Sequence, residues 1–204
     1  MKNFICMGIT LLLSLGLNGC SNYISMDSTY FFQEDFPRQG RVLIVAAKAD
    51  QDDSLEFNHY KSLISKQLID QGYGIIEDKD QADLVALITY GIDTGQTVSS
   101  TQPIYGYTGF YGFRSRYSMP HYTVVGVSTN LSTQYTKAIA MDLLDAQSIR
   151  DGKPKKLYQV RVKSRGECAN LNQVFPAMLK GMFTSFPGES GKTDYIEVEA
   201  EDCW

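Results

Sequence analysis

The run "GESGKT" at residues 188–193 contains most of the residues of a nucleotide-binding P-loop, in which backbone N–H groups and a lysine cradle phosphates. The complete motif needs a glycine five positions before its Gly-Lys pair, and that position holds Phe186. A P-loop also follows a strand and opens a helix, whereas this run follows a predicted helix. We therefore predict a turn here and no nucleotide partner.

The acidic run "DQDDSLEF" places Asp50 and Asp52 at the spacing of a calcium-binding loop. An EF-hand loop requires glycine at its sixth position and glutamate at its twelfth, where this chain has Leu55 and Lys61. An acidic loop that caps a following helix explains the same residues. We expect no metal site in this segment.

His59 and His121 are the only histidines, and neither has cysteine, histidine or aspartate partners at metal-ligand spacing. Members of a Ser-His-Asp triad need not be neighbours in sequence, but no nucleophile-elbow pattern supports one. The sequence therefore predicts no catalytic residues, no metal and no cofactor. We expect a protein that is not an enzyme.

The first twenty residues predict export. Lys2 precedes the apolar run 4–17, which would span about 21 Å as a helix and falls short of the roughly 30 Å hydrocarbon core of a bilayer. This pattern is typical of a signal peptide, here residues 1–19. The sequence "LNGC" resembles a bacterial lipobox, so that Cys20 would be lipidated, and Ser21 after it goes with outer-membrane sorting in lipoproteins generally. The alternative is a plain secretory signal with Cys20 an ordinary thiol.

Two further cysteines, Cys168 and Cys203, remain after the signal segment and Cys20 are set aside. In an oxidising compartment such a pair predicts a disulfide, and closing this loop would contribute roughly 3–4 kcal/mol on a chain-entropy argument. Two free thiols or half of a metal site are the alternatives.

Residues 94–122 form an insert rich in glycine and tyrosine. Aromatic faces beside guanidinium groups are typical of interface hot spots, and they also stack on sugars. The competing interpretation is a mobile loop or a hairpin that lies on the sheet. The candidate interaction residues are Tyr105, Tyr107, Phe110, Tyr111, Phe113, Arg114, Arg116 and Tyr117.

The composition limits the partners. The chain has 23 acidic and 19 basic residues and a formal net charge of −4, which argues against a nucleic-acid partner and against a polybasic membrane-surface contact. The length suits one domain with a sizeable core.

Hydrophobic periodicity predicts the elements around these residues. Short apolar runs predict strands, and residues 135–143 alternate large and small side chains. Tyr158, Val160 and Val162 alternate with polar residues, which predicts a further strand. Amphipathic patterns predict one helix after residue 53, with Phe57, Tyr60, Ile64 and Leu68 along one face, and another over 171–186. The order β-α-β-β-(insert)-β-β-α predicts an α+β domain over 39–187, with two helices packed on one face of a mainly antiparallel or mixed sheet of about five strands. Residues 20–38 would be a lipidated tether and 188–204 an acidic tail.

Four features in this order resemble a family of bacterial lipoproteins known as domain-of-unknown-function family 4136. They are "QADLVALITYGI", the insert, "YTKAIAMDLLDAQS" and a final helix that ends in "FP". The resemblance as a whole covers residues 41–187. One departure is Leu157-Tyr158, which stand where the family has a tryptophan. The resemblance implies an envelope lipoprotein with an α+β domain, and it brings no activity and no catalytic residues.

Two functions follow as hypotheses. The first is a non-enzymatic accessory, anchored to the outer membrane and facing the periplasm, that docks to an envelope assembly or to itself through the insert. The second is a module that binds peptidoglycan or another glycan through the aromatic residues of the insert.

Overall fold

The computed structural model describes residues 23–111 and 119–200, and it describes only the backbone at 109–111 and 119–120. These residues form one mixed sheet of eight strands and three helices. The strands are β1 Tyr23–Phe32, β2 Arg41–Ala46, β3 Gly74–Ile75, β4 Leu84–Ile92, β5 Gln96–Tyr111, β6 Met119–Asp145, β7 Lys156–Gly166 and β8 Thr193–Glu199. The helices are α1 Leu55–Asp70, α2 Ala146–Arg150 and α3 Leu171–Thr184.

The strand order is β3-β2-β4-β6-β7-β1-β8, and β5 pairs with β6 off this path. β2 is parallel to β3 and β4, and all the other pairs are antiparallel. The expectation of about five strands with two helices is therefore wrong, because the described chain is mostly sheet.

The additional strands lie in segments whose patterns are weak. β1 falls in the expected tether, where Met26, Ser28 and Tyr30 point into the core and the serine interrupts the apolar alternation. β8 falls in the expected tail and buries only Val198. Both strands are stabilised by pairing with a neighbouring strand. β1 pairs with β7 on one side through residues 26–32 and with β8 on the other through residues 23–29.

α1 and α3 contribute most of the helical side chains of the core. α1 begins at Ser54, whose hydroxyl accepts a hydrogen bond from the Phe57 amide at 3.0 Å, and it buries side chains at helical spacing. Tyr60 of α1 stacks on Phe175 of α3 with 3.8 Å between ring centroids, so the two helices contact each other as well as the sheet. Within the described ranges, none of the helices is both long enough and apolar enough to cross a membrane.

The P-loop-like run lies between α3 and β8 and opens no helix. The amide of Gly191 donates to the carbonyl of Tyr30 at 2.8 Å, and the amide of Tyr30 donates to the carbonyl of Lys192 at 3.2 Å. Gly188 has φ +76°, which favours glycine. The run is therefore the turn that aligns β8 against β1.

Candidate functional site: an uncharged β-arm and the cavity at its base

A two-stranded ribbon extends from the sheet. β6 is 27 residues long, and its second half, from residue 135, lies between β4 and β7, whereas its first half pairs only with β5. We call residues 96–111 and 119–134 the arm. At about 3.4 Å per residue, the sixteen residues of β5 extend over roughly 54 Å.

The sequence of the arm explains its conformation. Threonine, valine and tyrosine, which favour extended structure, are frequent in both strands. Two register shifts, at Val125 and at Thr108, each place an extra residue on one strand, which is the pattern of a β-bulge. Neither 96–111 nor 119–136 contains a single aspartate, glutamate, lysine or arginine.

The side chains of the arm are exposed. None of those described in the arm is buried, although eight of them are large and apolar, with exposed fractions of 47% to 71%. These eight are Ile104, Tyr105, Tyr107, Tyr122, Val124, Val125, Val127 and Leu131. Isolated exposed apolar residues are ordinary on a protein surface, but a contiguous group of this kind marks an interaction surface.

The register assigns these side chains to two faces. Alternation along the strands puts the tyrosines at 105, 107 and 122 on one face, together with Val124 and Val127. The Tyr107 and Tyr122 rings contact each other edge to face at a centroid distance of 5.9 Å. We call this side of the arm the tyrosine face.

The outer edge of β5 differs from the sheet edges at β3 and β8. β3 has only two residues, and β8 carries Asp194, Glu197 and Glu199. Short length and charge are the usual means by which an edge avoids pairing with another chain. β5 is sixteen residues long, uncharged and paired only with β6 in the described structure.

A cavity of about 770 Å³ opens at the base of the arm. β1, β6, β7 and the start of α3 surround it, and Lys137 is its buried cation, with 2% of its surface exposed. Lys137 Nζ donates to the carbonyl of Gly166 at 3.3 Å. Burial lowers the pKa of Lys137, and the Asp93 carboxylate opposes this effect.

The structure separates the residues predicted from the sequence. Tyr105 and Tyr107 lie on the arm, as do the backbones of Phe110 and Tyr111. Cys168 lines the cavity. The other predicted residues lie outside the described residues: Cys20, Phe113, Arg114, Arg116, Tyr117 and Cys203.

The calcium-like spacing has a structural explanation. Asp52 Oδ1 accepts a hydrogen bond from the Ala46 amide at 2.7 Å, which fixes the loop to the end of β2. His59 lies on α1 and His121 on the arm. In the part of the chain that the structure describes, no three histidine, cysteine, aspartate or glutamate side chains are grouped as metal ligands.

Sequence reasoning missed Lys137 as a functional candidate. The signal was its position in the alternation of β6, where it shares a face with Ile139, Met141 and Leu143. A lysine at a core-facing position is unusual, because burying an ammonium group costs free energy.

Comparison with known proteins gives a family but no activity. The family described as "Domain of unknown function (DUF4136)" matches residues 22–188. No curated protein matches the chain.

Two solved structures are similar. A PDZ domain protein from Parabacteroides distasonis aligns with a TM-score of 0.51 and 14% identity over 88% of this chain, and the chain spans about 40% of that protein's length. A DUF4136 family protein from Bacteroides thetaiotaomicron aligns with a TM-score of 0.45 and 16% identity, over 84% of this chain and 99% of the other. At such identities the first likeness concerns the fold alone.

Proposed function

We propose that this chain, which belongs to the DUF4136 family, is a non-enzymatic module of the bacterial envelope that joins a second copy of itself through its β-arm. In this proposal a lipid on Cys20 holds the protein at the outer membrane, with the domain in the periplasm. The lipobox-like "LNGC" supports the anchor. The geometry of the arm supports the self-association.

The observation that carries the proposal is the uncharged outer edge of β5. Unpaired strand edges present rows of N–H and C=O groups that pair readily with another chain. Pro103 is the only residue of β5 without an N–H group, so it interrupts pairing at one position at most. The edges at β3 and β8, by contrast, are short or charged.

The occupant that best fits this edge is an identical edge. The chain has a net charge of −4, all of it outside the arm, so two copies repel each other less along their arms than elsewhere. An antiparallel pair of β5 edges around a two-fold axis gives a self-complementary contact.

The size of the arm agrees with this use. An edge roughly 54 Å long on a sheet about 10 Å thick offers on the order of 500 Å² per copy, which gives about 1,000 Å² in a dimer. This is near the lower limit for a specific interface. We therefore expect a weak or moderate dimer in solution, strengthened when copies are concentrated on one membrane surface.

The test is the mass of the full-length chain in a nonionic detergent, measured by light scattering across a range of concentrations. We expect a dimer that dissociates when Ile104→Asp places a charge near the middle of β5 on each copy, because like charges at a symmetric contact repel. Tyr195→Asp is the control with the same added charge, since Tyr195 is also exposed but lies on β8. A wild-type chain that stays monomeric at all concentrations, or equal dissociation in both variants, contradicts the proposal. A monomer that instead binds a different protein through the arm also contradicts it.

One observation favours glycan binding as a second candidate. Tyr105, Tyr107 and Tyr122 lie on the same face of the arm and are 52% to 65% exposed, and aromatic faces in a row suit the apolar faces of sugar rings. Sedimentation of the chain with purified peptidoglycan tests this. Changing these three tyrosines to serine should reduce the bound fraction, whereas Ile104→Asp, on the opposite face of the arm, should leave it largely intact. No sedimentation of the wild-type chain excludes this candidate.

A further inference from the structure

We infer that the cavity at the base of the arm binds a small organic carboxylate, with Lys137 and the first turn of α3 receiving the carboxylate and apolar walls receiving the rest of the molecule. This inference stands independently of the function proposed for the arm.

The state of Lys137 is the first argument. Its side chain is 98% buried, and among the described residues its only hydrogen bond goes to the carbonyl of Gly166, at the long distance of 3.3 Å. No described carboxylate forms an ion pair with it, and Asp93 acts only at a distance. The oxygen Oδ1 of Asp93 already accepts from the amides of Gly95 and Thr136. A buried ammonium with two further N–H groups to satisfy favours an anionic acceptor in the cavity that it lines.

The start of α3 is the second argument. Asn170, Gln173 and Val174 line the same cavity, so the positive end of a fourteen-residue helix opens on it. The first turn of α3 contains no acidic residue. The Asn170 side chain accepts from the Asn172 amide at 3.0 Å, and it caps the helix without adding a negative charge. Lys137 and the helix therefore bring positive potential to one space.

The remaining lining sets the class of ligand. Arg165 adds a further cation, and Glu167, the one carboxylate among the described lining residues, is exposed. Ile24, Val174 and Ala200 give the cavity apolar walls. A volume of about 770 Å³ falls in the range of small-molecule sites. A carboxylate with an apolar body matches both parts of this lining.

The test uses phenylacetate as the anionic probe and phenylacetamide as its neutral isostere, with the full-length chain and calorimetric titration. We expect phenylacetate to bind about tenfold or more tightly than the amide, because only the carboxylate forms charge-assisted hydrogen bonds. Lys137→Met keeps the length and apolar stem of the side chain, and it should remove this preference. Lys163→Met, on the exposed face of β7, is the control with the same charge change, and it should keep the preference.

Four outcomes overturn the inference. Equal binding of the two probes to the wild-type chain, or no binding at millimolar concentration, shows that the cavity does not select a carboxylate. An unchanged preference in Lys137→Met shows that another group receives the anion. Binding that appears only after Glu201→Gln and Asp202→Asn shows that the chain's own acidic residues, and not a ligand, are the partners of Lys137.

A milder variant guards against misfolding of Lys137→Met. Arg165 is exposed, so Arg165→Gln should fold normally. We expect it to weaken phenylacetate binding a few-fold and to leave phenylacetamide unchanged. Equal loss for both probes contradicts the assignment of a carboxylate to this side of the cavity.

Discussion

The side chain of Val125 lies over Gly106, so close that a Cβ atom at position 106 would stand 2.5 Å from Cγ1 of Val125. Val125 is the extra residue of a bulge, and its side chain occupies space that is free only because Gly106 has no side chain. Gly106→Ala should therefore displace Val125 and loosen the ribbon around the bulge, while the sheet beneath keeps its stability.

Hydrogen exchange measured by mass spectrometry checks this prediction. Amide protection should fall for residues 104–108 and stay unchanged in β7. Gly126→Ala is the control, because a Cβ there would meet only Ile104 Cδ1, at an ordinary 3.9 Å. Equal protection in the two variants would show that Gly106 is not required for the geometry of the arm.

A second glycine permits close packing in the core. A Cβ at Gly181 of α3 would overlap the sulfur of Met26, which lies on β1 and is 2% exposed. Alanine is normally better than glycine within a helix by about 1 kcal/mol, but overpacking a core costs typically 1–3 kcal/mol. We expect the packing cost to exceed the gain in helix propensity, so that Gly181→Ala lowers the free energy of unfolding.

Urea unfolding monitored by circular dichroism measures this effect. Adding Met26→Val should restore part of the loss, because it removes the overlapping sulfur. Gly91→Ala is a neutral control, since no atom lies within 4 Å of a Cβ built there. A Gly181→Ala variant more stable than the wild type would refute the packing argument.

The sequence predicts best those elements whose buried face is continuously apolar. The periodicity of α1 identifies Phe57, Tyr60, Ile64 and Leu68, and all four are buried. The alternation of β7 identifies Tyr158, Val160 and Val162 in the same way. In both elements the local pattern agrees with the tertiary environment.

The elements that were missed are stabilised by partners distant in sequence. β1 contains a buried serine, Ser28, and is defined by its pairing with β7, more than a hundred residues later. The arm has no buried face, so periodicity could not distinguish a hairpin from a loop in the glycine-rich insert. Only the cross-strand register shows which tyrosines share a face.

The pairing of Cys168 with Cys203 stays a prediction with a direct test. Cys168 lines the same cavity as Ala200, three residues before Cys203, so the chain between them is short enough for the sulfurs to meet. Closing this loop should stabilise the fold by roughly 3–4 kcal/mol. Non-reducing peptide mapping should show the two cysteines in one linked fragment.

Serine variants give the energetic check on this pair. Cys168→Ser, Cys203→Ser and the double variant should lose the same stability, because either change alone already removes the bond. Losses that add in the double variant would mean that the two thiols act independently.

The buried charge of Lys137 should make stability depend on pH. Burial lowers its pKa in the folded state, so the unfolded chain binds more protons wherever the two states differ. The resulting penalty is fully present below the folded-state pKa, and it decreases as pH rises towards about 10.4, the ordinary value for lysine. Lys137→Met should therefore be more stable than the wild type at pH 7, by about 1–3 kcal/mol, and this advantage should shrink as pH rises.

Urea unfolding of the two chains between pH 7 and pH 9.5 measures the difference. Asp93, Arg165 and Glu167 are the charged groups near Lys137, and all three are present in both chains. Buried tyrosines such as Tyr158, whose pKa is raised by burial, also affect both chains alike. Lys163→Met, on the exposed face of β7, is the control that removes the same charge without removing a buried one. If Lys137→Met is instead less stable than the wild type, the hydrogen bond from Lys137 to the Gly166 carbonyl is required for the stability of the fold. If Lys137→Met is more stable than the wild type and has also lost the preference for phenylacetate, the buried lysine lowers stability but is required for ligand binding.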